Sequence, residues 1–374
     1  MSDSATVIDL FCGAGGLSLG AARAGFTLVG AVDNDPQAIK SHSVNFPHCK
    51  HWLTDISHLG GKELLRCFDL SGRKLDGLIG GPPCQGFSCI GHNNSSDSRN
   101  RLFISFFRIV NECRPKFFLS ENVPGILSEK HKETLDLALS CAEDYVVLSP
   151  LRLTASDYGA PTSRTRIFFF GYLKDFFKQV KPEDFKPPQD VEKVCVQEAL
   201  KGLPKRINPS WQREEQGWRK LRVAVNGEFG KRLYGFVPKS VGDKESIRIL
   251  EEERKVSGCL GTLHSSEVQK RYSETEPGKQ DKVSKSRRLQ LEGFCHTLRA
   301  GTGSDYGSFQ AVRPLHPTEH RVITPREAAR LQGFPDWFQF DPTKWHSFRQ
   351  IGSSVSPIIA EYILAVIRKS LIES

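Results

Sequence analysis

From residue 5 to residue 172, short β-branched runs alternate with stretches of helical period, and this alternation constrains the fold more than any single residue does. The runs cover residues 5–10, 28–32, 75–79, 116–119 and 167–172, and the helical stretches cover 17–24, 36–45, 62–68, 102–113 and 129–142. A strand that rejoins its sheet through a helix lies parallel to its predecessor, and the helices then cover both faces. The alternation predicts a doubly wound, Rossmann-like α/β domain over residues 1–171. Ligands of such sheets collect at the carboxyl ends of the strands, so the loops after each run are where chemistry is expected.

Past Tyr172 the pattern dissolves. Residues 181–189 are charged and proline-rich, and the chain stays polar, aromatic-dotted and weakly periodic to about residue 312. Helical period returns over 324–333 and 355–367, where Ile359, Ile363 and Ile367 fall on one face. We therefore read a first domain over 1–171, an inserted smaller domain over 172–312, and a closing segment over 313–374 that packs back on the first. Charge divides along the same lines. The whole chain of 374 residues carries 52 basic and 43 acidic side chains, a net +9. Residues 1–171 hold 17 of each sign, whereas residues 172–312 hold 27 basic against 20 acidic. A basic insertion beside a neutral domain points to a polyanionic partner.

Other classes are disfavoured. The ten cysteines include no CxxC pair and no closely spaced Cys/His set, so no metal site is expected and the thiols read as reduced, in a cytoplasmic setting. The first residues carry early acids and no long apolar run, and the apolar stretch near 357–367 is interrupted by Glu361. Export and membrane spanning are not expected.

The first run leads into Phe11-Cys12-Gly13-Ala14-Gly15-Gly16 and then a helix. Position 18 is Ser, so this is not GxGxxG, and close backbone approach of a ligand is favoured over a pyrophosphate cradle. Asp33 ends the second run, where such folds grip a ribose, and Asp55 follows a third short run. Either acid alone reads equally as a helix cap. Three such features at three successive strand ends point to a nucleoside-type cofactor. The fourth run ends in Gly80-Gly81-Pro82-Pro83-Cys84-Gln85-Gly86-Phe87-Ser88, a loop stiffened by prolines that can hold a thiol nucleophile in place.

At this point the chain resembles a known family, the C5-cytosine DNA methyltransferases of bacterial restriction-modification type. Six ordered motifs carry the resemblance: Asp9 to Gly16, the Cys84 loop, Glu121-Asn122-Val123-Pro124, Arg164-Thr165-Arg166, Arg326-Glu327-Ala328-Ala329-Arg330-Leu331-Gln332-Gly333-Phe334-Pro335, and Gly352-Ser353-Ser354-Val355. The resemblance implies an S-adenosylmethionine-dependent methyltransferase domain with an inserted target recognition domain. It implies that Cys84 adds to cytosine C6, that a protonated Glu121 serves N3, that Arg166 holds O2, and that Arg164 positions the flipped nucleotide and the loop.

For the cofactor it implies Phe11, Gly13, Gly15, Gly16, Leu17, Asp33, Asn34, Asp55, Ile56, Pro82 and Ser354, and for DNA contact Gln85, Ser88 and Thr297. The base that takes the C5 proton is not identified. Two positions depart from the family pattern: Thr162 stands where Gln often does, and Ser353 where Asn usually does. In the insertion, residues 201–206 and 219–222, Lys231-Arg232 and residues 285–288 are basic clusters interleaved with Trp211, Trp218, Tyr234 and Phe236, and each reads as a DNA contact or a solvated face. The expected partners are double-stranded DNA and, functionally, a restriction endonuclease of matching specificity; a monomer is expected. Two rivals are a tRNA cytosine-5 methyltransferase and a catalytically silent DNA-binding regulator of the same fold. The long insertion weighs against the first, and the intact Cys84, Glu121 and Arg166 against the second.

Overall fold

A computed structural model describes residues 5–83, 100–208, 216–235, 237–300 and 313–372. The strands of the first region are β1 (Thr6–Leu10), β2 (Thr27–Asp33), β3 (Lys50–Leu53), β4 (Gly77–Gly80), β5 (Phe117–Asn122), β6 (Val146–Val147), β7 (Leu151–Thr154) and β8 (Thr165–Tyr172). They form one sheet in the order β3-β2-β1-β4-β5-β8-β6, with β7 sharing the edge of β8. The five strands from β3 to β5 pair in parallel, through α1 (Gly16–Arg23), α2 (Pro36–Asn45), α3 (Gly61–Cys67) and α4 (Asn100–Cys113). After α5 (Lys132–Ser140) the direction reverses, and β8 is antiparallel to β5, β6 and β7.

That reversal departs from the all-parallel expectation for residues 167–172. Only residues 155–164, with one 3-10 turn, join β7 to β8, and a parallel crossover needs about a dozen residues or more. The strand β3 lacks the β-branched signature because its sequence is Lys-His-Trp-Leu.

Phenylalanines fill both faces of the sheet. Phe117, Phe168 and Phe170 point to one side, and Phe118 and Phe169 to the other, where they meet Phe103 and Phe107 of α4. The rings of Phe107 and Phe118 lie 5.2 Å apart and edge-on, the geometry that aromatic quadrupoles favour. Each such side chain contributes about 1.5–3 kcal/mol of burial free energy.

The insertion is built of short pieces: α6 (Val196–Leu200), β9 (Arg219–Lys220), α7 (Gly227–Tyr234), α8 (Lys244–Arg248), β10 (Lys255–Val256) and α9 (Ser266–Ser273), with β9 and β10 forming a two-stranded antiparallel ladder. The chain then returns through α10 (Pro325–Gln332), α11 (Lys344–Ser353) and α12 (Pro357–Ser370). Helix α10 starts where its sequence says it should, with Thr324 and Glu327 in a reciprocal capping box and Pro at its first turn, and it ends at a left-handed Gly333. Helix α12 lies against α1 so closely that a Cβ on Gly20 would sit 2.4 Å from the Cβ of Ala360. Ile359, Ile363 and Ile367 are all buried. Residues Lys344–Ser370 are apolar enough to span a membrane by composition, but 72% of the window is buried here, as in a core helix.

Candidate active site

The parallel strands end side by side, and the loops after β1, β2, β4 and β5 converge there. The turn after β1 winds through left-handed backbone at Phe11 (φ 60°), Gly13 (φ 54°) and Gly15 (φ 106°). Gly15 and Gly16 are there for space as well: a Cβ on Gly15 would lie 2.4 Å from the Phe46 ring, and one on Gly16 would lie 2.3 Å from the Val355 carbonyl oxygen. The glycine turn thus touches the Gly352–Val355 segment from the far end of the chain, and Ser354 packs beside Gly16. Gly13 has open space where its side chain would be.

Asp33 braces this turn. Its Oδ2 accepts the Gly13 N–H at 2.9 Å and its Oδ1 accepts the Asp35 N–H at 2.9 Å. Burial pushes its carboxyl above the usual range, and the two N–H donors oppose that shift. Leu17, Ile56 and Pro82 are buried and Asn34 and Asp55 are exposed. Asp55 also caps the turn at residues 56–58 through the Ser57 N–H. A glycine turn with open space at Gly13, an acid at the end of β2 and a small serine against Gly16 fit an adenosyl cofactor, and its ribose would meet Asp33.

The second half of the site lies on β5 and β8. The antiparallel register sets Glu121 opposite Phe168, and Arg166, two residues earlier on β8, reaches back to it. Arg166 Nε lies 2.7 Å from Glu121 Oε1, with both side chains nearly buried. The N–H is not directed at that oxygen, and Oε1 has no hydrogen-bond partner among the described residues. The Cys84 loop begins directly above: a Cβ on Gly81 would be 3.2 Å from Glu121 Oε2, and Asn122 Nδ2 donates to the Pro82 carbonyl at 3.4 Å. Cys84, Gln85 and Ser88 lie outside the described residues. Glu121 thus meets the Arg166 guanidinium at the root of this loop.

Arg164 does not join this pair. It is buried at 3% exposure and donates to the Leu298 carbonyl at 3.0 Å and the Ser353 carbonyl at 3.3 Å. It braces residue 298 against the segment that touches the glycine turn. The neighbouring backbone does the same: Ser163 N–H donates to the Cys295 carbonyl, and Gly352 leaves no room for a Cβ against Arg299 and Ala300. Thr297 is half-buried within this junction.

The basic run 285–288, read as a DNA contact or a solvated face, holds one arginine that is neither. Arg288 is 4% exposed and donates to the carbonyls of Tyr272, Thr275, His316, Pro317 and Glu319. Its charge is taken up by the fold of the insertion, whereas Lys285 and Arg287 are exposed. Composition could not separate them, because burial is not visible in a run of like charges. Trp211 and Phe236 lie outside the described residues. Trp218 and Tyr234 are half-buried, and the Tyr234 hydroxyl accepts from the Val225 N–H.

A mostly parallel sheet closed by an antiparallel strand, with a glycine turn after β1 and an acid after β2, is the architecture of the adenosylmethionine-dependent methyltransferases. Within that class the chain belongs to the C-5 cytosine-specific DNA methylases, whose family model matches residues 5–369. It is 39% identical to the type II methyltransferase M.XorII of Xanthomonas oryzae, over 97% of this chain and 84% of that one. It is 31% identical to the type II methyltransferase M.DdeI of Desulfomicrobium norvegicum, over 95% and 86%. Among solved structures it superposes with a TM-score of 0.88 on a prophage-encoded E. coli protein assigned as a DNA modification methyltransferase, at 49% identity and covering 98% and 99% of the two chains. The chain is a DNA cytosine-5 methyltransferase of the type II restriction-modification kind.

Proposed function

We propose that this enzyme transfers a methyl group from S-adenosylmethionine to C5 of one cytosine in a specific duplex site, after rotating that base out of the helix, and so protects the DNA from an endonuclease of matching specificity. The observation that carries the reading is the Glu121–Arg166 pair at the root of the Pro-Pro-Cys84 loop.

Cytosine C5 is too weak a nucleophile to be methylated directly. The Cys84 thiolate adds to C6, which pushes electron density from the C5–C6 double bond toward N3 and makes C5 nucleophilic. A protonated Glu121 donates its proton to N3 as charge builds there and takes it back when the ring re-forms, and Arg166 is placed for O2. S-adenosylmethionine held on the glycine turn would supply an electrophilic methyl carbon for C5. Loss of the C5 proton to a base and departure of the Cys84 thiolate from C6 restore the aromatic ring. Extrusion costs a few kcal/mol of stacking and pairing, recovered through phosphate contacts.

In this reading residues 1–171 and 313–374 form the catalytic unit, and residues 172–312 form the target recognition domain, with Gln85, Ser88 and Thr297 near DNA. Its basic excess supports that role. The enzyme works as a cytoplasmic monomer. A 5-fluorocytosine duplex carrying the target site tests the chemistry. The intact protein forms a covalent adduct with it in the presence of the cofactor, and Cys84→Ser forms none while still binding the cofactor. Transfer to tRNA in preference to duplex DNA, or full turnover by Cys84→Ser, is the result that overturns the reading.

A further inference from the structure

Beneath the glycine turn runs a row of four polar side chains that this chemistry leaves unused. Asp9 sits on β1, two residues before Phe11, and is fully buried. Its Oδ2 accepts from Ser18 Oγ of α1 at 2.5 Å. Ser18 Oγ lies 2.9 Å from His42 Nε2 of α2, and His42 Nδ1 lies 2.8 Å from His51 Nε2 of β3. Ser18 and His42 are fully buried, whereas His51 is half-buried, so the row leads from the core under the cofactor turn to the sheet edge.

Each link has one proton to place, which leaves two complete orders. With Asp9 protonated, every donor points outward: Asp9 to Ser18, Ser18 to His42 Nε2, and His42 Nδ1–H to His51 Nε2. With Asp9 ionised, every donor points inward. Passing from the first order to the second sends one proton along the row to His51 Nε2, and His51 sheds its Nδ1 proton to water. All atoms are accounted for, and Asp9 is left as a carboxylate.

The surroundings make that change easy to bias. The charged or titratable groups facing Asp9 are Asp33 from β2, the thiols of Cys12 and Cys49, and the two imidazoles. Burial lifts both thiols and lowers both imidazoles, which holds all four neutral, and Asp33 is an acid. Burial, with Asp33 adding to it and Ser18 opposing it, carries the Asp9 carboxyl up to about 7. The Oδ1 atom is buried with no hydrogen-bond partner among the described residues. A structural carboxylate would be paired there, as Asp336 is by Arg330. An added positive charge on the turn therefore meets a buried, unpaired carboxyl whose proton it favours releasing.

We infer that Asp9 reads the charge of the ligand on the glycine turn: it releases its proton through Ser18, His42 and His51 when a sulfonium cofactor binds, and takes one back when the neutral thioether product replaces it. This rests on the adenosylmethionine reading given above. The consequence is a preference for methyl donor over demethylated product that grows with pH across neutrality. A difference of about half a proton changes the affinity ratio about threefold per pH unit.

Titration calorimetry of the full chain at pH 6.5 tests it, using S-adenosylmethionine and S-adenosylhomocysteine separately in two buffers of different ionisation enthalpy. At that pH the amino groups of both ligands stay protonated. More proton release is expected with the sulfonium ligand, and the difference vanishes in Asp9→Asn, which keeps an acceptor for Ser18 and loses the charge. Equal release by the wild type, or a difference that survives Asp9→Asn, overturns the inference. Should Asp9→Asn fail to fold, the wild-type comparison decides alone. If the sulfonium ligand fails to bind to folded protein, the cofactor reading falls instead. Stopped-flow release to a pH indicator tests the route: Ser18→Ala slows it severalfold, and an unchanged rate removes the relay while leaving Asp9 as the sensor.

Discussion

Two buried polar networks hold this molecule together, and they answer burial in opposite ways. Under the cofactor turn, Asp9 has hydroxyl and imidazole neighbours and another acid nearby, and its carboxyl is pushed up to about 7. At the junction between insertion and closing segment, arginines supply the counter-charge. Arg321 grips Glu327 through both nitrogens at 2.7 and 2.9 Å, and Arg330 grips Asp336 at 2.6 and 2.8 Å. Desolvation acts on Glu327 too, yet Arg321 prevails and holds it below the usual carboxylate range. The same junction arginines reach across: Arg330 to the carbonyls of Ala199 and Lys201, Arg326 to the Ser257 carbonyl, Arg321 to the Lys205 carbonyl. Burial alone does not fix the charge of a carboxyl; the partner does. One network leaves its carboxyl able to titrate near neutrality, and the carboxylates of the other are locked.

Breaking the locked side should cost the most. Arg330→Met leaves Asp336 buried and unpaired and is expected to destabilise the protein by about 3–5 kcal/mol, seen as a lower midpoint in urea. A midpoint unchanged at neutral pH would mean the junction contributes nothing to stability.

The titrating side gives a signed pH effect. The folded-state pKa of Asp9 is raised, so its contribution to stability is fully present below the unfolded value and is lost as pH rises through about 7. Asp9→Asn should therefore gain on the wild type by roughly 2–4 kcal/mol between pH 5 and pH 8, measured as the change in their melting difference. His316 at the junction runs the other way. Burial lowers it to about 4, and its Nδ1 accepts the Thr318 and Glu319 N–H groups. Junction stability should thus fall as pH drops from about 6.5 toward 4, and His316→Asn should blunt that acid loss in melting curves.

The smallest stability effect and the clearest functional one come from neighbours in the basic run. Lys285→Ala and Arg287→Ala should leave the melting temperature nearly unchanged, and each should reduce the salt slope of DNA binding by about one for every phosphate the side chain neutralises. Arg288→Met should instead lower the melting temperature, because five carbonyls lose their shared donor. A uniform response from all three would erase the distinction between buried and displayed charge.

Local signals in the chain marked most of the elements. The runs near 28–32 and 116–119 became β2 and β5 because β-branched and aromatic residues suit a buried pleated sheet, and Thr324 with Glu327 announced the start of α10. The glycine turn and the acid after β2 were legible because steric and cofactor demands act through adjacent residues. The direction of β8 was not, since a run of Ile and Phe reads the same either way and only the connection that precedes it decides.

What sequence by itself determined, then, was the inventory: an alternating α/β region, a glycine turn, a proline-rich loop carrying Cys84, a basic middle segment, and a family. Tertiary structure alone decided the pairings. Arg164 and Arg166, two residues apart on one strand, serve different sites because one reaches the Leu298 and Ser353 carbonyls and the other reaches Glu121. Asp9, Ser18, His42 and His51 are spread over four elements and become a row only when the sheet closes. A one-dimensional pattern records which groups are present and how they repeat locally; whether a charge is paired, bound to a carbonyl or left to titrate depends on contacts between residues far apart in the chain.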